Sequence, residues 1–206
     1  PQEIAVLFRT NAQTQPVEEA FTEASIRYTV VGAMSFYDRK EVRDALSFLR
    51  VQVNDRDIPS LRRSLLCVPG VGDGSVRDIV SIMNESGRGP LVAISEYCQS
   101  NKSPRADMLQ QYADCMHQMQ ELKPEEGIKL IADEFLAPKY AEDKRSQDRL
   151  ENVNALCNVA ARFSSVGQLV VSASLVSSSD EQHRGVCLAT CHAVKGLEFS
   201  SVWVAG

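Results

Sequence analysis

The chain has 206 residues, of which 44% are hydrophobic and 24% charged, a globular composition that excludes a disordered or collagenous chain. Its 22 basic and 27 acidic residues give a net charge of −5, so any nucleic-acid contact must be local rather than spread over a uniformly basic surface. No apolar run approaches the roughly 18–20 residues of a membrane span, and Pro1-Gln2-Glu3 begins no signal peptide, so we expect a cytoplasmic, monomeric fragment with no membrane partner.

Six cysteines are scattered through apolar segments, and we expect reduced thiols rather than a disulfide framework. Cys115 and His117 lack a second pair of ligands at zinc-finger spacing, so the sequence predicts no metal site. Cys191 beside His192 leaves a nucleophile open as an alternative, although the sequence assigns it no base or orienting acid.

The first segment predicts a strand, a helix and a second strand. Ile4–Phe8 is an almost unbroken apolar run, typical of a parallel strand buried on both faces, and Tyr28–Val31 is the second strand. Between them, apolar residues recur at helical spacing: Val17, Ala20, Phe21 and Ala24. This stripe predicts an amphipathic helix whose apolar face is buried.

The middle of the chain predicts helices, and the end returns to strands. Helical periodicity runs from Asp38 to about Phe163, broken by short loops rich in Pro and Gly. Val186–Ala189 and Ser201–Val204 then predict two more strands. We therefore predict an α/β parallel-sheet domain, residues 1–35 and 165–206, interrupted by an inserted all-α domain, residues 36–164.

Polar residues follow two of the predicted strands. Arg9 and Asn11 follow the first, and Thr190, His192 and Lys195 follow the third. Open α/β sheets bind ligands beyond the carboxyl ends of their strands, so these side chains could share a crevice suited to an anionic polymer. The alternative is that they are an ordinary cap, a structural histidine and a solvated lysine.

A glycine-rich turn lies between two predicted helices, from Val68 to Val80. Gly70 and Gly72 allow the backbone to approach a phosphate closely, and the following helix, which carries Ser75 and Arg77, offers free N–H groups. The arrangement is typical of a helix-hairpin-helix that contacts duplex DNA without reading sequence. A plain turn between two helices remains the alternative.

Three blocks of sequence resemble UvrD/Rep/PcrA-type superfamily 1 DNA helicases. Ile4–Glu19, IAVLFRTNAQTQPVEE, resembles motif IVa, and Leu188–Phe199, LATCHAVKGLEF, resembles motif V. Phe36–Arg50, FYDRKEVRDALSFLR, is similar to the segment that enters the helical 2B subdomain. The resemblance implies part of a RecA-like 2A motor domain interrupted by an inserted 2B subdomain, in an ATP-dependent helicase that moves 3′ to 5′ along DNA.

The resemblance also implies roles for single residues. Those expected to hold single-stranded DNA are Arg9, Asn11, Thr190 and His192. Those expected to bind duplex DNA are Gly70, Gly72, Ser75 and Arg77. Gly196 is expected to form the tight turn that places Glu198 against the ribose of ATP. Cys191 and Val194 depart from the family's usual residues without disturbing these roles.

No G-x-x-x-x-G-K-[ST] phosphate-binding loop occurs in the sequence, and the family's DExx box and motif VI are absent as well. We therefore expect ATP and Mg²⁺ to serve the full-length enzyme, none to be bound to this fragment, and the fragment alone to be inactive. Repair or replication proteins are further expected partners. The rival hypothesis is a non-catalytic adaptor that binds DNA or protein through its helices.

Overall fold

The computed structural model describes residues 4–10, 13–31, 36–176 and 185–205. The chain divides into two compact units. The sheet unit comprises Pro1–Arg39 and Gln168–Gly206, and the helical unit comprises Lys40–Gly167. No helix within the described ranges has both the length and the apolar character needed to cross a membrane.

The sheet unit contains four parallel strands in the order β2-β3-β1-β4. The strands are β1 (Ile4–Phe8), β2 (Tyr28–Val31), β3 (Val186–Thr190) and β4 (Ser201–Ala205). The predicted parallel sheet is thus confirmed, and each strand ends within one residue of its predicted bound. Strand β3 lies between β1 and β2, so the strands nearest each other in sequence are not neighbours in the sheet.

Strand β4 lies at one edge of the sheet and, among the described residues, pairs with β1 alone. Val202, Trp203 and Val204 are 49%, 70% and 78% exposed. Because successive side chains of a strand point to opposite faces, both faces of β4 are open. Unlike β3, which is buried, β4 is therefore covered on neither face by the described residues.

Helix α1 (Thr14–Glu23) buries its polar face. Thr14, Glu18 and Thr22 are buried, whereas Ala20 and Ala24 are exposed. The prediction of a buried apolar stripe is thus wrong for this helix, whose Val17 and Phe21 are only half-buried.

The reason is a set of hydrogen bonds to the carboxylate of Glu18. It accepts from the hydroxyl of Thr14 at 2.9 Å, from the hydroxyl of Tyr28 at 3.2 Å and from the backbone N–H of Phe36 at 2.9 Å. Hydrogen bonding removes the desolvation cost that would otherwise keep a carboxylate at the surface. Glu18 thereby joins α1 to β2 and to the segment that leads toward the helical unit.

The helical unit is built from short helices joined by short turns. Its helices are α2 (Lys40–Val53), α3 (Ile58–Leu65), α4 (Asp73–Ser86), α5 (Pro90–Ser100), α6 (Pro104–Gln118), α7 (Pro124–Ile131), α8 (Ala137–Tyr140) and α9 (Ser146–Ala160). A wide π turn, Ala132–Leu136, joins α7 to α8 just before Pro138, which has no N–H to donate. A further helix, α10 (Val166–Val176), leads back to the sheet unit.

The core of the helical unit contains three fully buried rings. Phe48 of α2 stacks on Phe135 at a centroid distance of 5.6 Å, and Tyr112 of α6 lies 5.5 Å from Phe48. The Tyr112 hydroxyl is hydrogen-bonded to that of Ser64 at 2.8 Å. Apolar residues that recur at helical spacing along α2 are buried in this core: Val42, Ala45, Leu46 and Leu49.

A buried carboxylate holds α2 to α3 and α8. Asp44, whose side chain is 2% exposed, accepts from Arg63 at 2.7 Å and from Lys139 and the Tyr140 hydroxyl at 2.6 Å each. Burial by itself would raise the pKa of Asp44, but the Lys139 and Tyr140 hydrogen bonds and the charges of Lys139 and Arg63 outweigh it. The pKa of Asp44 therefore lies below its ordinary value.

Replacing Gly185 should destabilise the sheet unit. Gly185 has φ +142°, and a Cβ there would lie 2.6 Å from the carbonyl carbon of Arg27 and 2.9 Å from the nitrogen of Tyr28. We expect Gly185→Ala to cost more than about 2 kcal/mol, because strain and a backbone clash combine at the start of β3. Thermal unfolding followed by circular dichroism measures this, with Gly167→Ala, which meets no close atom, as the control. Equal stability of the two variants would contradict the expectation.

Asp44→Asn should destabilise the helical unit by about 3 kcal/mol at neutral pH. This value is at the low end of the range for removing one partner of a buried ion pair, because Lys139 and Arg63 are partly exposed. Because the pKa of Asp44 is lowered by folding, the unfolded chain binds the carboxyl proton more tightly than the folded chain does. The carboxylate's contribution is therefore complete above about pH 4 and is lost as the pH falls through the folded-state pKa below that.

Urea unfolding at pH 7 and at pH 3 tests both statements. The difference in the free energy of unfolding between wild type and Asp44→Asn should be smaller at pH 3 than at pH 7. Asp78→Asn, an exposed change on α4, is the control and should stay within about 0.5 kcal/mol of wild type at both pH values. If wild type is more stable than Asp44→Asn by the same amount at both pH values, the ionised Asp44 carboxylate is not the source of the stability difference.

Candidate functional site

The loops that follow β1 and β3 leave the sheet side by side. Phe8 and Thr190 are paired in register, and the N–H of Cys191 donates to the carbonyl of Phe8 at 3.0 Å. Since the two strands are parallel neighbours, Arg9 and His192 emerge at the same edge of the sheet. The structure thus brings Arg9, Thr190 and His192, which the sequence placed in one crevice, to the carboxyl ends of two neighbouring strands.

The residues that follow β1 are held by the side chain of Gln13, the residue just before α1. The Gln13 side-chain oxygen accepts the backbone N–H groups of Arg9 and Thr10, each at 3.1 Å. The Arg9 guanidinium is exposed and makes no ion pair or hydrogen bond with any described residue. Asn11, the other predicted contact from this loop, lies outside the described residues.

The loop after β3 is held on the sheet by its apolar residues. Ala193, Val194 and Phe199 pack against a buried cluster that includes Ala5 and Ala189. The polar residues between them stay at the surface: Thr190 is half-buried, and His192, Lys195 and Glu198 are exposed. The apolar anchors therefore fix the backbone while leaving the polar side chains available.

Gly196 has φ +90°, in the left-handed region that favours glycine, and the N–H of Leu197 donates to the carbonyl of Val194 at 2.9 Å. The chain thus turns sharply two residues before Glu198. The Glu198 carboxylate has no partner in the described part of the chain, so it is free to accept hydroxyl donors.

Taken together, this edge offers an uncompensated guanidinium, an ammonium group, an imidazole and a hydroxyl. Such donors suit the phosphate oxygens of an extended anionic chain. The Glu198 carboxylate, an acceptor, suits a sugar hydroxyl instead. The site has no described nucleophile with a base beside it: the Cys191 thiol is exposed and makes no hydrogen bond to a described residue.

The glycine-rich turn connects α3 to α4, as predicted. Gly70 adopts φ +76°, whereas Gly72 is extended, with φ −120° and ψ −179°. A Cβ on either residue would meet no atom within 4 Å. Gly70 is therefore required by its backbone conformation, and Gly72 is not required by anything within the chain.

The side chains around this turn divide into inward and outward groups. Arg77 is exposed and unpaired within the described residues, as expected of a cation that contacts a ligand. The Ser75 side chain, in contrast, is only 2% exposed and accepts from Tyr97 and Arg105. The Ser75 hydroxyl thus faces α5 and α6, and the predicted contact of Ser75 with duplex DNA stays a prediction that concerns its backbone N–H.

An ion pair spans the turn. Arg62 of α3 contacts Asp73, the first residue of α4, at 2.8 Å, and both side chains are more than half exposed. Sequence reasoning missed this pair, because a spacing of eleven residues across a turn has no local signature. It also missed Gln13, although Thr10-x-x-Gln13 has the spacing of a helix-capping box.

All six cysteines lie in the described part of the chain and are free thiols. Burial raises the pKa of Cys67 to about 11, of Cys157 to about 11 and of Cys115 to about 12, so these thiols stay protonated at neutral pH. Among the described residues, no three side chains of His, Cys, Asp or Glu come together as metal ligands.

The chain matches curated helicases along its whole length. It is 34% identical over 225 residues to the ATP-dependent DNA helicase PcrA of Staphylococcus epidermidis, an alignment that covers 99% of this chain and 31% of the relative. It is 33% identical over 234 residues to the ATP-dependent DNA helicase PcrA of Staphylococcus aureus, with 100% of this chain and 31% of the relative covered. The chain thus spans about a third of the length of these relatives.

A sequence model of the UvrD-like helicase C-terminal domain matches residues 1–206. This match agrees with the parallel sheet. The chain therefore belongs to the UvrD-like helicase C-terminal domain family.

Proposed function

We propose that this chain is part of an ATP-dependent DNA helicase that moves 3′ to 5′ along single-stranded DNA. The sheet unit is the corresponding part of a RecA-like 2A motor domain, and the helical unit is its inserted 2B subdomain. The observation that carries the proposal is the in-register pairing of Phe8 with Thr190, because it places the loops of motifs IVa and V at one edge of the sheet.

The single-strand contacts are Arg9, Asn11, Thr190 and His192. The described geometry supports three of these: Arg9 and His192 are exposed beyond adjacent strands, and Thr190 ends β3. The guanidinium binds a phosphate, while the threonine hydroxyl and the imidazole donate hydrogen bonds to neighbouring backbone oxygens. These contacts read no base, as a motor that translocates along any sequence requires.

The nucleotide contact is Glu198, placed by the turn at Gly196. A carboxylate can accept the ribose hydroxyls of ATP but cannot hold its phosphates or Mg²⁺ alone, and the chain has no phosphate-binding loop. ATP and Mg²⁺ therefore act in the whole protein, where other segments supply phosphate binding. By itself, the chain positions DNA and one end of the nucleotide and does not hydrolyse ATP.

Duplex DNA binds at the turn between α3 and α4, which we name the hairpin surface: Gly70, Gly72, the first turn of α4 and Arg77. The open space beside Gly72 supports this, since a phosphate can approach the backbone there. Arg77 adds an uncompensated charge.

The protein acts in the cytoplasm, and its partners besides DNA are proteins of repair or replication.

Arg9→Gln should weaken single-strand binding about fivefold, equivalent to one hydrogen bond of about 1 kcal/mol, and lower the salt slope by roughly 0.7. His192→Ala should weaken it by a similar factor. The measurement is fluorescence anisotropy of a labelled oligothymidylate over a series of salt concentrations. Duplex binding should be unaffected in both variants, because the hairpin surface is unchanged.

Arg27→Gln is the matched control for the single-strand site. Arg27 is exposed and belongs to the same unit, but it precedes β2 and so lies at the amino-terminal edge of the sheet. If Arg27→Gln loses as much affinity as Arg9→Gln, the binding is a general charge effect and the site is wrongly placed.

Gly72→Ala should weaken duplex binding severalfold and equally for every DNA sequence. The extended backbone of Gly72 accepts alanine, and the added methyl meets nothing within the chain, so the fold should be unaffected. The methyl group instead occupies the space where a phosphate approaches. The measurement is duplex affinity for several unrelated sequences, together with thermal unfolding to confirm the fold.

Gly167→Ala, at a distance from the turn in sequence, is the control and should bind duplex as wild type does. Unchanged duplex binding by folded Gly72→Ala would reduce the hairpin surface to a plain connection between helices. It would also favour the rival hypothesis of an adaptor that docks a protein partner.

A further inference from the structure

Arg105, the second residue of α6, is held against the first turn of α4 by a neutral group. Its guanidinium donates to the hydroxyl of Ser75 at 3.1 Å, and the Tyr97 hydroxyl donates to the same oxygen at 3.2 Å. Ser75 is 2% exposed, while Arg105 is exposed. A buried anchor therefore fixes one end of a guanidinium whose remainder faces solvent.

The charge of Arg105 is uncompensated among the described residues. It makes no ion pair there, whereas Arg62 of α3 is paired with Asp73 at 2.8 Å. A guanidinium has five N–H donors, and one of those of Arg105 is used by Ser75. The others are available, in a planar fork that fits a phosphate group.

We propose that Arg105 is a further contact to the phosphate backbone of duplex DNA and extends the hairpin surface from α4 onto α6. Ser75 is the positioning residue: its hydroxyl holds the guanidinium beside the start of α4. The proposal rests on the function proposed above for the hairpin surface. It assigns the Ser75 hydroxyl an indirect part in DNA binding.

A second exposed arginine near the start of α4 supports this extension. Arg77 lies on α4 two residues after Ser75, and its side chain is exposed where that of Ser75 is buried, so the two point to different sides of the helix. Arg105 reaches the same helix from α6. Two exposed arginines from different helices, neither with an ion pair among the described residues, therefore lie on different sides of the start of α4.

The test compares Arg105→Gln with Lys102→Gln. Lys102 is exposed, unpaired among the described residues and three positions away in sequence, so the two variants change the net charge equally. Duplex affinity is measured over a series of salt concentrations. Arg105→Gln should bind about fivefold more weakly and lower the slope of log K against log salt by roughly 0.9, the value for one phosphate contact. Lys102→Gln should change the slope by clearly less.

Ser75→Ala, alone and combined with Arg105→Gln, tests the positioning role. Alone it should weaken duplex binding about threefold, because the guanidinium must then be ordered by DNA itself. In the Arg105→Gln background it should have no further effect, a dependence that a merely structural role of Ser75 would not produce. Thermal unfolding identifies any loss of affinity that comes from unfolding.

The inference is overturned if Arg105→Gln binds duplex as wild type does, or if Lys102→Gln loses as much affinity. It is also overturned if the effects of Ser75→Ala and Arg105→Gln simply add. If Arg77→Gln and Gly72→Ala weaken duplex binding while Arg105→Gln does not, the hairpin surface stands and only its extension fails. If the wild-type chain itself shows no salt-dependent duplex binding, the proposed duplex function fails, and this inference with it.

Discussion

The sheet can form only when β3, from the far end of the chain, lies between β1 and β2. This constraint shapes the rest of the molecule, because the two halves of the candidate single-strand site become neighbours only through that pairing. The entropy of closing a loop grows slowly with its length, so a large insertion between β2 and β3 adds little to the cost of forming the sheet. The insertion also has a buried aromatic core of its own, which stabilises it by local packing.

Compensation of charge, rather than its amount, separates the arginines that hold helices together from those proposed to bind DNA. The chain is acidic overall, and several of its arginines form ion pairs with carboxylates: Arg63 with Asp44, and Arg149 with Glu41 and Asp143. These pairs fasten helices together. Arg9 and Arg105, by contrast, have no acidic partner in the described structure. A count of basic residues would not separate the two groups, whereas their hydrogen bonds do.

The strands and the helical middle could be predicted because they depend on local patterns: apolar runs for β1 and β3, and a helical stripe for α2. The buried face of α1 could not, because Glu18 is buried only by virtue of donors on Tyr28 and Phe36, which are distant in sequence. The same reasoning applies to Ser75. Its position at a helix start predicts a ligand contact, whereas in the structure its hydroxyl accepts hydrogen bonds from Tyr97 of α5 and Arg105 of α6. Both donors are distant in sequence, so no local pattern predicts these bonds.

The open edge of the sheet has a practical consequence for spectroscopy. Trp203 of β4 is the chain's single tryptophan, and it is largely in water in the folded protein. Its fluorescence emission therefore changes little on unfolding and is a poor reporter of stability. The same exposure makes it a sensitive reporter of contact, since any surface that covers this side of β4 shields the indole from water and shifts its emission to shorter wavelengths.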